Sequence, residues 1–453
     1  MEQKTEVASK QLSENARRVV ILGGGFAGLT AAKTLCAKLS AYLKVHGRIE
    51  VLLINKWNYH LFTPLLYQAS TGLVDIDSIA QPIRPEARKS HFEFLEAEVR
   101  SINVQAQVVY AGDRSIPYDY LVIALGTIKD DTKVEGATKY AIPLKTLDDG
   151  SRIHDRIIES FERAANLPNG PERGEYLNFV VIGGSTGAEL AGSVMDYVRA
   201  VAKDYPGIDV RRDCRVYIIE AGERLFPDSD KSLSYVVKQS LEERGVAVLL
   251  KTRVEKIDHT KLTLSSGETI ESWNIFDNTG VKPNSVLETI SEDIVKKKEG
   301  KIVVNSSLRI PDFESVFAIG DNASVVVGRR SDGKPRYAPP TAESAVEEGK
   351  YVGRLIAREL NTSLGRNNNQ GASPKPLPVL AFNFKEKGTM LSIGAHNGIA
   401  KFPKFTFTGF LGWLIWRIVH LYLIATARAK LTVAFDWVLD AFGNRNTSQL
   451  GKF

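Results

Sequence analysis

A glycine-rich loop near the N-terminus, Gly23-Gly24-Gly25-Phe26-Ala27-Gly28, fits the pattern G-x-G-x-x-G. Glycines at these three positions permit a tight turn, a close approach of the backbone to a pyrophosphate, and close packing of a helix on a strand. The N–H groups at the start of the following helix would bind the phosphates. Loops that only reverse the chain can carry the same pattern, so a dinucleotide site also requires the right elements around the loop.

Those elements are present. The apolar run 18–22 predicts a strand before the loop, a helical pattern follows it, and residues 49–54 predict a second strand. The second strand ends in Asn55 and Lys56, where an acid usually binds the ribose hydroxyls. Asparagine can accept one hydroxyl hydrogen bond, although without the assistance of a charge.

A second unit of the same kind begins about 160 residues later, with a predicted strand at Asn178–Ile182. Its loop, Gly183-Gly184-Ser185-Thr186-Gly187, is one glycine short of the full pattern, because Ile182 stands at the first position. A helix is predicted from about Gly187 to Val201, followed by a strand at Arg215–Ile219. Two such units predict two dinucleotide-binding domains in one chain.

The acid that the first unit lacks is present in the second. Glu220 ends the strand and favours NADH, because its charge would repel the 2′-phosphate of NADPH. The alternative of NADPH stays open, because three basic residues are near in sequence: Arg211, Arg212 and Arg215.

A Gly320-Asp321 pair follows the apolar run 315–319. A strand that delivers this pair before a helix can aim the carboxylate at a sugar or ribityl hydroxyl. The alternative is that Asp321 caps the helix.

Composition indicates a folded globular protein, since 43% of the 453 residues are hydrophobic and 25% are charged. The length favours two or three domains. Only two cysteines are present, Cys36 and Cys214, so neither a disulfide framework nor a Cys-rich metal site is expected, and we predict that both are buried. Residues 1–16 lack the apolar core of a secretory signal, and residues 361–376 are typical of a flexible surface loop.

The excess of positive charge lies at the C-terminus. The net charge is +6, and residues 381–453 carry nine basic and three acidic residues, which accounts for all of it. Trp413, Trp416 and Trp437 lie in the same stretch. This composition favours an anionic membrane surface over nucleic acid as partner, with a basic helix docked inside the fold as the alternative.

Residues 409–427 are long and apolar enough to span a bilayer, but Arg417 and His420 fall at their middle. Residues 430–442 predict a second helix with Asp436 and Asp440 on one face. We therefore expect two helices that lie in the membrane interface, with the tryptophans at headgroup level, rather than a single span.

Taken together, the two loops and three further segments resemble the flavoproteins with two dinucleotide-binding domains, the pyridine nucleotide-disulfide oxidoreductase superfamily. These segments are 118–126 (YDYLVIALG), 278–280 (NTG) and 318–321 (AIGD). Within that superfamily the chain resembles the type II NADH:quinone oxidoreductases, from about residue 17 to residue 445. That resemblance rests on residues 58–68 (NYHLFTPLLYQ), 187–192 (GAELAG), 384–388 (FKEKG) and 412–420 (GWLIWRIVH).

By this resemblance FAD binds at the first loop, the end of its second strand and Asp321, and NADH binds at the second loop and Glu220. The cofactor-binding residues so expected are Gly23, Gly24, Gly25, Phe26, Ala27, Gly28, Asn55, Lys56, Val99, Gly126, Gly183, Gly184, Ser185, Thr186, Gly187, Glu220, Gly280, Gly320, Asp321 and Ala342. Glu189 matches the glutamate near the nicotinamide and quinone; alternatively it is a first-turn acid that interacts with the helix dipole. Lys387 matches a lysine near the flavin and quinone, or is a surface lysine of a charged turn.

The chain departs from the family pattern at the quinone region. Where the family has Ala-Gln and another Gln four residues on, this chain has Ala342-Glu343 and then Glu347. Helical spacing puts both acids on one face, and their proximity would raise the pKa of one of them. A protonated member could donate a hydrogen bond or a proton to the quinone. The alternative is a solvated acidic face.

The sequence thus predicts an α/β protein with two Rossmann-like domains, one inserted in the other. The expected domains are a flexible tail (1–16), an FAD domain (17–150 and 300–384), an NAD(H) domain (151–299) and a membrane-anchoring segment (385–453). Sulfide:quinone oxidoreductases share this fold but need cysteines at the flavin, where neither cysteine of this chain is placed.

By the resemblance, the expected function is hydride transfer from NADH to FAD and then two electrons to a quinone of a respiratory chain, without proton pumping. The expected location is the cytoplasmic face of a bacterial-type membrane, as a peripheral protein that can be a homodimer. The alternatives are a flavoprotein redox sensor, or a reductase that uses NADPH or an acceptor other than quinone.

Overall fold

The computed structural model describes residues 16–39, 49–227, 229–365, 381–443, 445–449 and 451. The expected N-terminal tail lies outside the described residues except for Ala16, and the expected loop at 361–376 does so from residue 366 onward. Among the described residues, a first compact unit comprises 16–39, 49–60, 82–128, 282–365 and 381–386. The second comprises 61–81, 129–227, 229–281, 387–443, 445–449 and 451.

The first unit is built on a mainly parallel sheet. Its strands are, in spatial order, Arg309–Ile310, Phe313–Ala318, Tyr120–Ile123, Arg17–Leu22, Ile49–Asn55 and Glu93–Glu96. Leu22 is in register with both Ile54 and Ile123, so these strands end at the same edge of the sheet. Their apolar residues are almost completely buried, as expected for a parallel sheet covered on both faces.

Two helices of this unit pack closely on each other. Phe26–Lys38 follows the first strand, and Ala342–Gly365 lies against it. Gly349 and Gly353 make the approach possible, because a Cβ atom on Gly349 would overlap the Ala27 carbonyl oxygen. The helix that carries Glu343 and Glu347 is thereby fixed to the helix that begins at the glycine loop.

The second unit contains a five-stranded parallel sheet. Its strands are, in spatial order, Ile142–Pro143, Asn274–Asp277, Asn178–Ile182, Arg215–Ile219 and Val246–Leu249. Ile182 is in register with Ile219 and Asp277, so the three central strands end together. The helix Ser185–Val201 starts directly after the loop at 183–184.

The C-terminal part of the second unit begins with an antiparallel sheet of Thr389–Ser392, Gly398–Lys401 and Thr406–Thr408. The C-terminal helix pair follows: Gly409–Leu423 and Ala427–Ala441. Thr426 caps the second of these helices by accepting from the Ala429 N–H. Within the part of the chain that the structure describes, no helix has both the length and the apolar character needed to cross a bilayer.

The remaining elements complete the two units. In the described part of the chain, the other α-helices are Leu66–Ala69, Ile83–Ser90, Ala137–Tyr140, Leu147–Ala165, Pro171–Leu177, Val210–Asp213 and Lys231–Glu243. The other strands are Tyr59–Leu61, Ala80–Pro82, Val99–Asn103, Val108–Ala111, Arg114–Pro117, Thr127–Lys129, Val254–Asp258, Lys261–Leu264, Thr269–Glu271, Val281–Pro283, Lys297–Lys298, Lys301–Val303, Ala323–Ser324, Val326–Arg329 and Pro335–Tyr337.

Candidate functional site

The first glycine loop has the geometry of a phosphate-binding turn. Gly23 has a φ of +101°, and a Cβ atom there would overlap the carbonyl oxygen of Ala124. A Cβ atom on Gly28 would overlap the carbonyl oxygen of Gly23. At Gly25, by contrast, a Cβ atom would meet no protein atom within 4 Å. Gly25 is also the N-cap residue of the helix Phe26–Lys38, and no side chain caps the helix there. The helix start therefore has room for an anion.

Two side chains fix the peptide groups of Gly24. The Gly24 N–H donates to Asn55 Oδ1 at 2.8 Å, and Asn55 Nδ2 donates to the Trp57 carbonyl oxygen at 2.7 Å. His60 Nδ1 lies 2.9 Å from the Gly24 carbonyl oxygen. Because a carbonyl can only accept, His60 carries its proton on Nδ1, and burial lowers the pKa of this imidazole. Asn55 thus holds the loop itself, and His60, which sequence reasoning did not select, holds it as well.

The Gly320-Asp321 pair lies in a short 3₁₀ turn, Gly320–Asn322, at the end of strand Phe313–Ala318. The Gly126 N–H donates to Asn322 Oδ1 at 2.8 Å, which joins Gly126 to this turn. A buried acid holds the other side: the Gly320 N–H donates to Glu348 Oε2 at 2.6 Å. Burial raises the pKa of Glu348 to about 6.

In the long helix Ala342–Gly365 the buried acid is Glu348, and not Glu343 or Glu347. Glu343 and Glu347 are partly exposed, and Glu347 Oε1 lies 3.1 Å from Lys350 Nζ. Glu348 is 2% exposed and also accepts from the Ser344 hydroxyl at 2.9 Å. The sequence contains three acids close together and offered no signal that the last of them faces the core.

The other residues expected near the first loop lie in the first unit. Ala342 is the first residue of the long helix, and Val99 is a buried residue at the start of strand Val99–Asn103. Lys56 is exposed and pairs with Glu98 at 2.9 Å.

The second glycine loop repeats the turn of the first. Gly183 has a φ of +102°, and a Cβ atom there would lie 2.7 Å from the Asn278 carbonyl oxygen. Gly187 is buried against Val181 and Asn278, while Ser185 and Thr186 are exposed at the helix start. Gly280 has a φ of +50° and lies beside the Lys133 side chain.

Glu220 lies where the loop and its strand meet. Its Oε1 accepts the Gly222 N–H at 2.6 Å, and its Oε2 would be 2.5 Å from a Cβ atom on Gly184. Arg215 stands at the other end of the same strand, roughly 16 Å away at 3.3 Å per residue. Arg212 forms two hydrogen bonds with Asp213, at 2.7 and 2.9 Å. Arg215 is therefore remote from Glu220, and Arg211 and Arg212 lie in the short helix Val210–Asp213 that precedes Arg215 in the chain.

Glu189 lies in the second turn of the helix Ser185–Val201 and is only partly exposed. Its Oε1 accepts the Ser392 N–H at 3.1 Å, and burial raises the pKa of the carboxyl to about 8. This position does not fit the alternative of a first-turn acid at the helix dipole. Two further residues, Tyr67 and Gln68, are buried in the same unit, and sequence reasoning had used them only as part of a motif.

Lys387 is exposed and precedes the strand Thr389–Ser392, which carries Ser392. The two cysteines, Cys36 and Cys214, are both buried, as predicted. Burial raises the pKa of the Cys214 thiol to about 12, which makes it unreactive.

The C-terminal tryptophans were expected at headgroup level, and this placement is wrong. Trp413, Trp416 and Trp437 are at most 6% exposed. The Arg417 guanidinium lies 3.8 Å from the Trp413 ring centroid and 4.8 Å from that of Trp437, and Arg417 pairs with Asp440 at 3.6 Å. Trp413 and Trp437 thus flank a guanidinium that could not lie in apolar surroundings without partners, and Trp416 packs on Trp437 and His420.

With two dinucleotide-type loops on two parallel sheets, the chain can be compared with known proteins. Residues 17–349 match the pyridine nucleotide-disulphide oxidoreductase family, and the chain belongs to that family. Residues 387–446 match the NDH2 C-terminal domain. The family is one of FAD-binding proteins, so FAD is the cofactor of this chain.

Individual relatives resemble the chain over nearly its full length. It is 28% identical to "Type II NADH:quinone oxidoreductase Ndh" of Mycobacterium tuberculosis over 441 residues, which covers 94% of this chain and 89% of the relative. It is 28% identical to "Type II NADH:quinone oxidoreductase" of Staphylococcus haemolyticus, with 86% and 90% covered. The solved structure of NDH2 from Plasmodium falciparum in complex with NADH has the same fold, with a TM-score of 0.82, 19% identity, and 95% of this chain and 99% of that chain covered.

Proposed function

We propose that this protein is a type II NADH:quinone oxidoreductase, which oxidises NADH and reduces a quinone without pumping protons. The observation that carries the proposal is that one chain has two glycine loops of the same geometry, on two separate parallel sheets. Such a chain can bind two dinucleotides, one that stays bound and one that exchanges. Relatives named as NADH:quinone oxidoreductases support NADH and quinone as the exchanging partners.

The first unit fits FAD. The open space at Gly25 and the helix start beside it suit a pyrophosphate, and Phe26, Ala27 and Gly28 continue the same loop. In this proposal Asn55 holds the loop through the Gly24 N–H, Lys56 follows it at the end of the strand, and Asp321 would supply a carboxylate for the ribityl hydroxyls. These residues would hold FAD, which would supply the hydride-accepting and electron-donating chemistry between NADH and the quinone. The role of the protein is to hold and orient the reactants.

The second unit fits NADH. The loop from Gly183 to Gly187 presents the start of a helix to the pyrophosphate, and Gly280 lies in the turn after the adjacent strand. Glu220 accepts from the ribose hydroxyls and repels a 2′-phosphate. The distance of Arg215 from Glu220 favours NADH over NADPH.

Glu189 is the acid–base group in this proposal. Its carboxyl is protonated at neutral pH because burial raises its pKa to about 8, so it can donate a hydrogen bond or a proton to a reduced quinone. Glu343, Glu347 and Lys387 stay candidates for the quinone side. A Glu343→Gln variant that keeps the pH profile of quinone turnover would remove Glu343 from this group.

The C-terminal helix pair supplies a surface for membrane lipid. Its exposed apolar residues are Phe410, Leu411, Leu414, Ile418, Tyr422, Leu423, Leu431, Phe435, Val438 and Phe442. Apolar side chains of this kind on helices too short to span insert into the interface of a bilayer. We place this surface on the cytoplasmic face of a bacterial-type membrane.

Binding to vesicles that contain anionic lipid tests this surface. The double variant Ile418→Asp with Leu431→Asp should no longer sediment with vesicles and should keep its FAD. Val326→Asp, at an exposed apolar position of the first unit, is the matched control. Undiminished binding of the double variant would exclude the helix pair as the anchor. Removing the helices is a less specific test, because Trp416 and Trp437 are buried in the fold.

Steady-state turnover tests the central proposal. The purified protein, loaded with FAD, is assayed with NADH and with NADPH against several quinones, and sedimentation of the same sample shows whether a homodimer forms. Rapid NADH oxidation that depends on quinone is expected. A slow reduction by NADH that no quinone accelerates would instead identify a redox sensor.

A further inference from the structure

The hairpin that carries Ser392 lies on the helix that carries Glu189, within the second unit. Its strands, Thr389–Ser392 and Gly398–Lys401, pair in antiparallel register, and residues 393–397 form the turn between them. The Ser392 N–H, in the last position before the turn, donates to Glu189 Oε1 at 3.1 Å. The geometry of this hydrogen bond therefore depends on how the turn is held against the helix.

One face of the helix packs against the turn. Glu189, Gly192 and Asp196 are spaced so that they share this face. A Cβ atom on Gly192 would lie 3.1 Å from the Gly394 backbone nitrogen, so a glycine is what permits the approach. Gly394 has a φ of +73°, and a Cβ atom there would overlap Asp196 Oδ2. The two glycines thus bring the turn directly onto the Asp196 carboxylate.

Asp196 and Arg244 together bind both backbone polar groups of Ala395, in the middle of the turn. The Ala395 N–H donates to Asp196 Oδ2 at 2.5 Å, and Arg244 donates to the Ala395 carbonyl oxygen. Arg244 Nη1 also donates to Asp196 Oδ1 at 2.7 Å, and these two side chains are only 15% and 9% exposed. The Ile393 N–H donates to the Asn397 carbonyl oxygen at 2.8 Å, so a constraint on Ala395 also fixes the ends of the turn.

We propose that Asp196 and Arg244 are positioning residues, which fix the turn and thereby hold the Ser392 N–H on the Glu189 carboxyl group. The inference rests on the proposed function in one respect, because Glu189 is the acid–base group of that proposal. Neither Asp196 nor Arg244 needs to touch a reactant for this role.

The expected effect concerns the ionised form of Glu189. A donor aimed at a carboxylate stabilises its charged form, so a Ser392 N–H that is no longer held there should make ionisation of Glu189 harder. Burial and the nearby charge of Glu189 raise the pKa of Tyr67, so this phenol stays neutral during the titration. The titration midpoint of Glu189 should move to higher pH by about half a unit or more, a roughly threefold change in the ionisation constant.

Two variants loosen the turn with different effects on charge. Asp196→Asn keeps the volume but places an amino group against one of its two donors, Arg244 or the Ala395 N–H. Its loss of a negative charge would by itself lower the pKa of Glu189, so a rise would report the lost hydrogen bond instead. Arg244→Lys keeps the positive charge but lacks the planar fork that reaches both Asp196 and Ala395. Both variants should raise the midpoint.

Arg199→Lys is the matched control, because it is the same substitution beside the same carboxylate. Arg199 Nη1 lies 3.9 Å from Asp196 Oδ1, but its side chain is 48% exposed and donates to the Arg244 carbonyl oxygen. The substitution therefore leaves the two bonds to Ala395 in place, and the midpoint should not change. A rise as large as that in Arg244→Lys would contradict the role of the turn.

The titration is read on the FAD-loaded protein without substrate. The infrared band of the protonated Glu189 carboxyl, assigned by its loss in Glu189→Gln, gives the midpoint in each variant. An unchanged or lowered midpoint in either folded variant, Asp196→Asn or Arg244→Lys, would overturn the inference, even if the wild-type enzyme reduces quinone. Raised midpoints in a protein that does not reduce quinone would support the positioning role and refute the proposed function. If Asp196→Asn does not fold, Arg244→Lys alone decides.

Discussion

The backbone N–H of Gly320 donates a 2.6 Å hydrogen bond to the Glu348 carboxylate, which lies 28 positions later in the chain. Glu348 is almost fully buried, and the residue after Gly320 is Asp321, the expected partner of the ribityl hydroxyls. Glu348, which the sequence did not indicate as a site residue, therefore supports the turn that carries Asp321, which the sequence did indicate.

Replacing Glu348 should destabilise the first unit. Glu348→Ala leaves the Gly320 N–H and the Ser344 hydroxyl without this acceptor, which should lower the free energy of unfolding by about 1–3 kcal/mol. Glu347→Ala is the matched control, since its partly exposed pair with Lys350 should contribute about 1 kcal/mol or less. Urea unfolding of the FAD-loaded proteins measures both. Equal losses in the two variants would contradict this role of Glu348.

Glu189 should make stability depend on pH in a defined direction. Its pKa is about 8 in the folded protein against an ordinary value of 4.5, so between these values the unfolded chain releases a proton that the folded chain keeps. Stability should therefore fall by about 1.4 kcal/mol for each pH unit across this range, and change no further above it.

The Glu189→Gln variant checks this, because it lacks the titrating group. Below about pH 4.5 the variant should be no more stable than the wild type. Between about pH 4.5 and about pH 8 its free energy of unfolding should increasingly exceed that of the wild type. Urea unfolding at a series of pH values measures the difference. A difference that does not vary with pH would mean that Glu189 ionises at its ordinary pKa.

Alanine substitutions at two glycines of the first loop should impair different properties, namely stability at Gly28 and FAD binding at Gly25. A Cβ atom on Gly28 would overlap the Gly23 carbonyl oxygen, so Gly28→Ala should destabilise the protein even without FAD. A Cβ atom on Gly25 would meet no protein atom, so Gly25→Ala should leave the apoprotein as stable as the wild type. It should nevertheless weaken FAD binding by about tenfold or more, because it fills the space for the pyrophosphate.

Thermal unfolding of the apoproteins and fluorescence titration with FAD separate these two effects. Retention of full FAD affinity in Gly25→Ala would place the pyrophosphate elsewhere. A Gly28→Ala apoprotein of wild-type stability would show that the loop can relax around the added carbon.

Much of the fold was predictable because its central strands are buried on both faces. The strands Asn178–Ile182 and Arg215–Ile219 have the predicted bounds, since continuous apolar runs between glycine and polar residues mark such strands. The loops were equally visible, because the two turns depend on glycine itself: Gly23 and Gly183 both have a positive φ.

The contacts of the site were less predictable. Gln68 and Trp437 are 369 positions apart, and no local pattern indicates that their side chains meet. Among Glu343, Glu347 and Glu348, the packing of the whole helix decides which acid turns inward. The burial of the tryptophans of the C-terminal helix pair was not predicted for the same reason, because it depends on tertiary contacts such as those of Trp413 and Trp437 with Arg417.

Nucleotide preference should depend on the charge of Glu220. In Glu220→Gln the side-chain oxygen can still accept the Gly222 N–H, but the repulsion of a 2′-phosphate is lost. The ratio of kcat/KM for NADPH to that for NADH should rise by about tenfold, which corresponds to about 1.4 kcal/mol. Arg215→Gln is the control, because Arg215 lies at the opposite end of the strand and should leave the ratio unchanged. An unchanged ratio in Glu220→Gln would show that another group discriminates between the two nucleotides, and a change in Arg215→Gln would bring the arginines back into the site.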